Sequence, residues 1–234
     1  MKKLATTYLL FALLITLITP VYASVKIQAK IDKNIQVVFT IENINSTIYN
    51  ETKQNEKIFN ITTIPKTIIN NLEQQNLTRT RWDCDPEQQI FDDSKNSITV
   101  KFSLAGEDII KFTTDKTTIN RIYHVQTGWR KFHINLTHNF SLDFAQYFDT
   151  PIANWTYSNS KKEYHYEYTE SDSFDPTCKF VLPPRATNVH AIKDTIMFEI
   201  PPLPADILLS SPFLILGALI IVVIIAFIYR RIRK

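Results

Sequence analysis

The chain has 234 residues, 44% of them apolar and 21% charged, with a formal net charge of +3. Six of its 26 Lys and Arg lie at the two ends (Lys2, Lys3, Arg230, Arg231, Arg233 and Lys234), leaving 20 against 23 acids in between. That slightly acidic middle lacks the clustered positive charge that nucleic-acid phosphates require, so no nucleic-acid partner is expected.

In chain order, Lys2 and Lys3 precede an apolar run from Leu4 to Thr19, and Pro20-Val21-Tyr22-Ala23 supplies small residues at a cleavage position. This is the layout of a secretory signal peptide over residues 1–23; an uncleaved anchor is the other reading. Val25, Ile27, Ala29 and Ile31, then Ile35, Val37, Phe39 and Ile41, alternate with polar residues around Asp32-Lys33-Asn34, which predicts a β-hairpin. Asn43 to Lys57 is polar and aperiodic and reads as an exposed loop. Thr63-Ile64-Pro65 introduces a short helix with Ile68, Ile69 and Leu72 on one side.

Alternation returns at Ile98, Val100, Phe102 and Leu104, with a turn at Gly106 and a returning strand over Ile109 to Phe112. Further strand faces are Tyr123 with Val125, Phe132 with Ile134 and Leu136, Tyr164 with Tyr166 and Tyr168, and Ile196 with Phe198 and Ile200. Leu142 to Phe148 fits a helical turn or a strand. The prediction is a mainly β, sandwich-like extracellular domain with one short helix over residues 24–200, with a subdivision possible near 115–120. Only three Gly are present, so most turns must use Asn, Asp and Pro.

Pro201, Pro202 and Pro204 make residues 201–206 a stiff stalk. Ile207 to Tyr229 then contains no charge, and at ~1.5 Å per residue its 23 residues reach ~34 Å, enough for a ~30 Å hydrocarbon core. The basic tail 230–234, opposite Asp206, orients this transmembrane helix with the tail in the cytoplasm and residues 24–206 outside. The expected location is the cell membrane, crossed once.

Cys84 and Cys178 are the two cysteines. Outside the membrane they would form one internal disulfide, closing a loop of ~95 residues; two separate buried thiols or an intermolecular bridge are the alternatives. The sequon N-x-S/T occurs at Asn45, Asn50, Asn60, Asn76, Asn135, Asn139 and Asn154. From 16 Asn and 37 Ser or Thr, chance gives about 2.5 such sites against the seven present. Alternation contributes to such patterning, but it also turns Asn135 and Thr137 outward, where a glycan can be accepted.

Glu163, His165 and Glu167 share one face of a strand, a row that could hold a divalent metal or perform acid-base work, or simply face solvent. His124, His133 and His138 are scattered, and no phosphate loop, nucleophile elbow or zinc-protease motif is present. Trp82, Trp129 and Trp155 suit a sugar-stacking platform or core packing. No catalytic residue, metal site or cofactor is therefore assigned. The expected function is a single-pass surface glycoprotein with a non-enzymatic binding or structural module close to the membrane. Its partners would be the lipid bilayer and another surface protein, a glycan or a membrane complex. The alternative is a membrane-tethered extracellular hydrolase.

Overall fold

The computed structural model describes residues 23–74, 81–169, 174–204 and 212–232. The signal segment before Ala23, Asn76, the end of the stalk and the start of the apolar run at 207–211 lie outside the described residues. The protein is mainly β, 45% strand against 26% helix, with mixed sheets.

Strands β1 (Ala23–Ile31) and β2 (Ile35–Glu42) form the expected hairpin, and their alternation buries Val25, Ile27, Ala29 and Ile31 beside Val37, Phe39 and Ile41. They sit at the centre of a seven-stranded sheet. β4 (Ser97–Gly106) and the edge strand β3 (Trp82–Asp92) extend it on one side. On the other side come β11 (Phe174–Val181), β10 (Glu163–Glu167) and the short edge strand β9 (Thr156–Ser158). β1 and β11 run parallel, and the remaining pairs of this sheet are antiparallel.

One face of this sheet is covered by an aromatic layer drawn from residues 128–155. It includes the 3₁₀ turn Gly128–Arg130, the two-stranded hairpin β7 (His133–Asn135) with β8 (Ser141–Asp143), and the short helix α3 (Phe144–Phe148). Phe39 meets Phe132 and Phe144 edge-on at 6.0 and 5.6 Å, and Trp129 meets Phe102 and Phe180 at 6.3 and 5.7 Å. The segment Leu142 to Phe148, ambiguous in sequence, is thus both: a strand end followed by one helical turn, with Asp143 Oδ1 accepting from the Ala145 N–H. Helix α2 (Thr63–Gln74), the expected short helix, buries Ile64, Ile68, Ile69 and Leu72 and packs beside β3 and β7.

Residues 43–57 correct the expectation of a loop. They contain helix α1 (Ser46–Gln54), capped by Asn45, whose Oδ1 accepts from the Thr47 N–H at 2.9 Å. Tyr49 and Thr52 are buried, and the Tyr49 hydroxyl donates to Asp93 Oδ1 at 2.6 Å in the β3–β4 turn. One aromatic anchor and a cap replace the apolar stripe that periodicity would look for.

The second correction concerns Ile109 to Phe112. β5 (Ile110–Thr114) does not return onto β4; it pairs with β6 (Arg121–Gln126) in a four-stranded sheet ordered β12-β13-β6-β5, where β12 is Thr187–Ile192 and β13 is Thr195–Ile200. Gly106 makes the exit possible. Its φ is +113°, and a Cβ there would lie 2.2 Å from the Arg81 carbonyl oxygen. Segment 115–120 is the tip of the β5–β6 hairpin, and both sheets combine strands from before and after it.

The third correction is the disulfide. Cys84 and Cys178 are both buried thiols with no bridge between them. Cys84 lies on β3 and Cys178 on β11, with β4, β2 and β1 between. Four spacings of ~4.8 Å separate them by about 19 Å, far beyond the ~7 Å Cα limit of a bridge.

Helix α4 (Pro212–Ile232) covers the later part of the apolar run and carries Arg230 and Arg231 in its last turn. Among the described residues no helix is long and apolar enough to cross a membrane.

Candidate functional site

The face of the seven-stranded sheet opposite the aromatic layer carries the outward residues of its alternating strands, and strand register lays them out in rows. Lys101, Val38, Gln28, Lys179 and His165 form the middle row. Ser103, Gln36, Lys30, Val181 and Glu163 lie on one side of it, and Thr99, Thr40, Lys26, Thr177 and Glu167 on the other. Each row comes from the residues that alternate with the core positions, so the hydrophobic pattern that fixes the inside also fixes this outside. Lys26, Lys30, Lys101 and Lys179 stand on this face among acids: Lys26 pairs with Glu42 on β2, Asp175 lies on β11, Glu163 and Glu167 on β10, and Asp83 and Asp85 on β3.

The Glu163–His165–Glu167 row runs along the single strand β10, next to the edge strand β9. Its carboxylates are four residues apart, about 13 Å at ~3.3 Å per residue. His165 Nε2 lies 4.0 Å from Glu167, while Glu163 faces Lys161 at 3.9 Å. The three do not converge. Among the described residues no group of three His, Cys, Asp or Glu is placed to hold a metal ion.

Six of the seven sequon asparagines are described, and none lies on a strand of the seven-stranded sheet. Asn45 and Asn50 belong to α1 and its cap, Asn135 and Asn139 to the β7–β8 hairpin, and Asn154 to the 3₁₀ turn Ile152–Asn154; all five are exposed. Asn60 is half-buried and tied in, its Oδ1 accepting from the Thr62 N–H at 2.9 Å and the Thr62 hydroxyl at 2.7 Å. Thr137, expected to face outward with Asn135, is instead buried.

The remaining candidates are dispersed. Trp82, Trp129 and Trp155 are all buried, as core packing requires. His133 and His138 are exposed on the β7–β8 hairpin, away from His124 on β6. A polar depression of about 440 Å³ next to His124 is bordered by Asp108 and Lys111, and Arg81 pairs with Asp108 and Glu107 at 3.4 and 3.2 Å.

One charged constellation escaped sequence reasoning. Arg130 is fully buried, donating to the carbonyls of Thr127 (3.0 Å) and Thr150 (2.9 Å) and to Asp194 Oδ1 (2.8 Å). Its guanidinium stands 4.9 Å from the Trp155 ring centroid. Burial alone would raise the Asp194 carboxyl, but the hydrogen bond and charge of Arg130, with Lys131 behind, hold it below its ordinary value. This unit fastens the β12–β13 turn to the aromatic layer. No local motif announces it, because its members are 64 residues apart. Burial likewise pushes the Cys178 thiol up to about 12 against a smaller opposing effect from Arg130, leaving it protonated.

No protein-family model, curated protein or solved structure matches the chain.

Proposed function

We propose that the chain is a single-pass surface glycoprotein whose sandwich-like β domain is a non-enzymatic binding module, meeting its partner through the open face of the seven-stranded sheet. The observation that carries this reading is the separation of sequons from that face: all six described sites lie off the strands of the sheet, Asn135, Asn139 and Asn154 in the covering layer and Asn45, Asn50 and Asn60 at α1 and before α2, and the face itself bears none. Glycans on those segments leave the open face as the bare protein surface. Its interspersed lysines and acids suit a partner presenting a complementary charged surface, with association weakened by salt. The membrane span rests on the charge-free run 207–229 and the basic tail.

Glycan masking tests the reading. Val38→Asn creates an N-x-T sequon with Phe39 and Thr40 in the middle row of the face, without removing a charge. The glycosylated variant is expected to lose cross-linking to its cell-surface partner, while Val38→Asn with Thr40→Ala, which has no sequon, retains it. Retained association by the glycosylated variant sinks the proposal. A hydrolytic activity removed by Glu163→Gln with His165→Ala would replace it with the tethered enzyme.

A further inference from the structure

The four-stranded sheet ends where the chain departs for the proposed membrane span. The final row of that sheet is Ile200, Arg121 and Thr114, so the exit of β13, the start of β6 and the hairpin tip 115–120 share one end. Arg185 donates to the carbonyls of both Pro201 and Pro202, the latter at 3.1 Å, which ties the first stalk residues to the domain. Only Leu203 to Asp206 then remain as spacer, about 12 Å at ~3.1 Å per residue. From Ile200, the last residue of the sheet, seven residues lead to 207, a reach of about 22 Å at ~3.1 Å per residue.

This same end carries exposed apolar side chains. Phe112 is 55% exposed, Ile119 36% and Leu203 50%. Phe112 lies two residues before the last row, about 7 Å along the strand. It terminates an aromatic ladder across three strands, with Tyr123 at 5.6 Å from Phe112 and stacked on Phe198 at 5.0 Å. Ile119 has φ +59°, a conformation that a β-branched residue rarely adopts. The loop fixes it there: the Ile119 N–H donates to the Asp115 carbonyl and the Asp115 N–H to the Asn120 carbonyl, each at 2.9 Å.

Charge at this end is sorted as well. Asp115 accepts from the N–H groups of Thr117 and Thr118, and Glu199 accepts from the Asn120 side chain at 2.8 Å, so both acids are engaged within the fold. Lys116 and Arg121 are exposed, with Arg121 5.8 Å from the Phe112 ring centroid. Aromatic and aliphatic tips beside exposed bases are what the headgroup region of a bilayer accommodates.

We infer that Phe112 and the Ile119 loop, flanked by Lys116 and Arg121, dip into the outer lipid leaflet and fix the tilt of the domain on the membrane. The inference rests on the proposed span at 207–229. A domain docked in this way presents its open sheet face in a set direction instead of swinging on the stalk.

The test uses the full chain in vesicles of phosphatidylcholine and phosphatidylglycerol brominated in the acyl chains. Phe112→Trp and Ile119→Trp place reporters at this end. Ile192→Trp is the control, since Ile192 is exposed too but pairs with Thr195 at the opposite end of the sheet. Against the wild-type background of three buried tryptophans, positions 112 and 119 are expected to show severalfold stronger quenching by brominated lipid than position 192, and weaker quenching by aqueous iodide. Equal behaviour at all three positions overturns the inference, as does shielding from both quenchers, which would mean a protein covers this end. Alkaline carbonate extraction separates the two readings. Release of the chain from vesicles removes the span and the inference together, whereas an embedded chain with iodide-accessible positions 112 and 119 removes the inference alone.

Discussion

The inner face of the seven-stranded sheet and the aromatic ladder of the four-stranded sheet use the same residue types, yet Phe39 and Phe102 are fully buried while Phe112 stays largely exposed. The difference lies in what covers them. Residues 128–155 lay Trp129, Phe132, Phe144 and Phe148 over the large sheet. The small sheet receives cover only around Phe198 and Ile196, so its ladder runs from core to solvent. Stability is therefore concentrated in one sheet, and the other is free to serve as surface.

Truncation should expose that contrast most strongly. Phe39→Ala, at the meeting of Phe132 and Phe144, is expected to cost about 3–5 kcal/mol in denaturant unfolding. Phe112→Ala should cost less than about 1 kcal/mol. Comparable losses at the two positions would mean that the small sheet is as tightly covered as the large one.

The link between the regions comes next. Asp194→Ala leaves the buried Arg130 guanidinium without its anionic partner and should cost about 3 kcal/mol. Because the Asp194 carboxyl is held below its ordinary 3.8, its contribution is complete above that value and is lost as pH falls through the lower folded-state value. An acid-unfolding series should therefore show a steeper loss for the wild type below about pH 4 than for Asp194→Asn. Identical acid profiles would remove Asp194 from the account.

The smallest expected effect is that of reductant. With the two cysteines on strands β3 and β11, dithiothreitol should leave the melting temperature unchanged. Cys178, buried and protonated, should resist alkylation until the protein unfolds. A drop in melting temperature on reduction would require a covalent link absent from this fold.

Much of the large sheet was legible in the sequence because its half-buried strands alternate cleanly, as in Val25 to Ile41 and Ile98 to Leu104. β3 was not, since its stretch Asp85 to Gln88 lies on a sheet edge, is exposed and carries no apolar alternation. β11 was obscured by Pro176, a residue that argues against a strand interior. Sequons could be counted, but their absence from one face could not be seen. That required the parallel β1–β11 pairing, which joins segments about 150 residues apart and leaves no local mark. The cysteine pair misled for the same reason: counting offers one pairing, and strand order forbids it.

Lysine-specific cross-linking of the full-length protein on intact cells, mapped by mass spectrometry, tests the central claim most directly. The open face carries Lys26, Lys30, Lys101 and Lys179, whereas Lys66 on α2 and Lys193 in the β12–β13 turn lie elsewhere on the exposed surface. Intermolecular cross-links concentrated on the first four, and diminished by salt, are the predicted result; cross-links confined to Lys66 and Lys193 would contradict it.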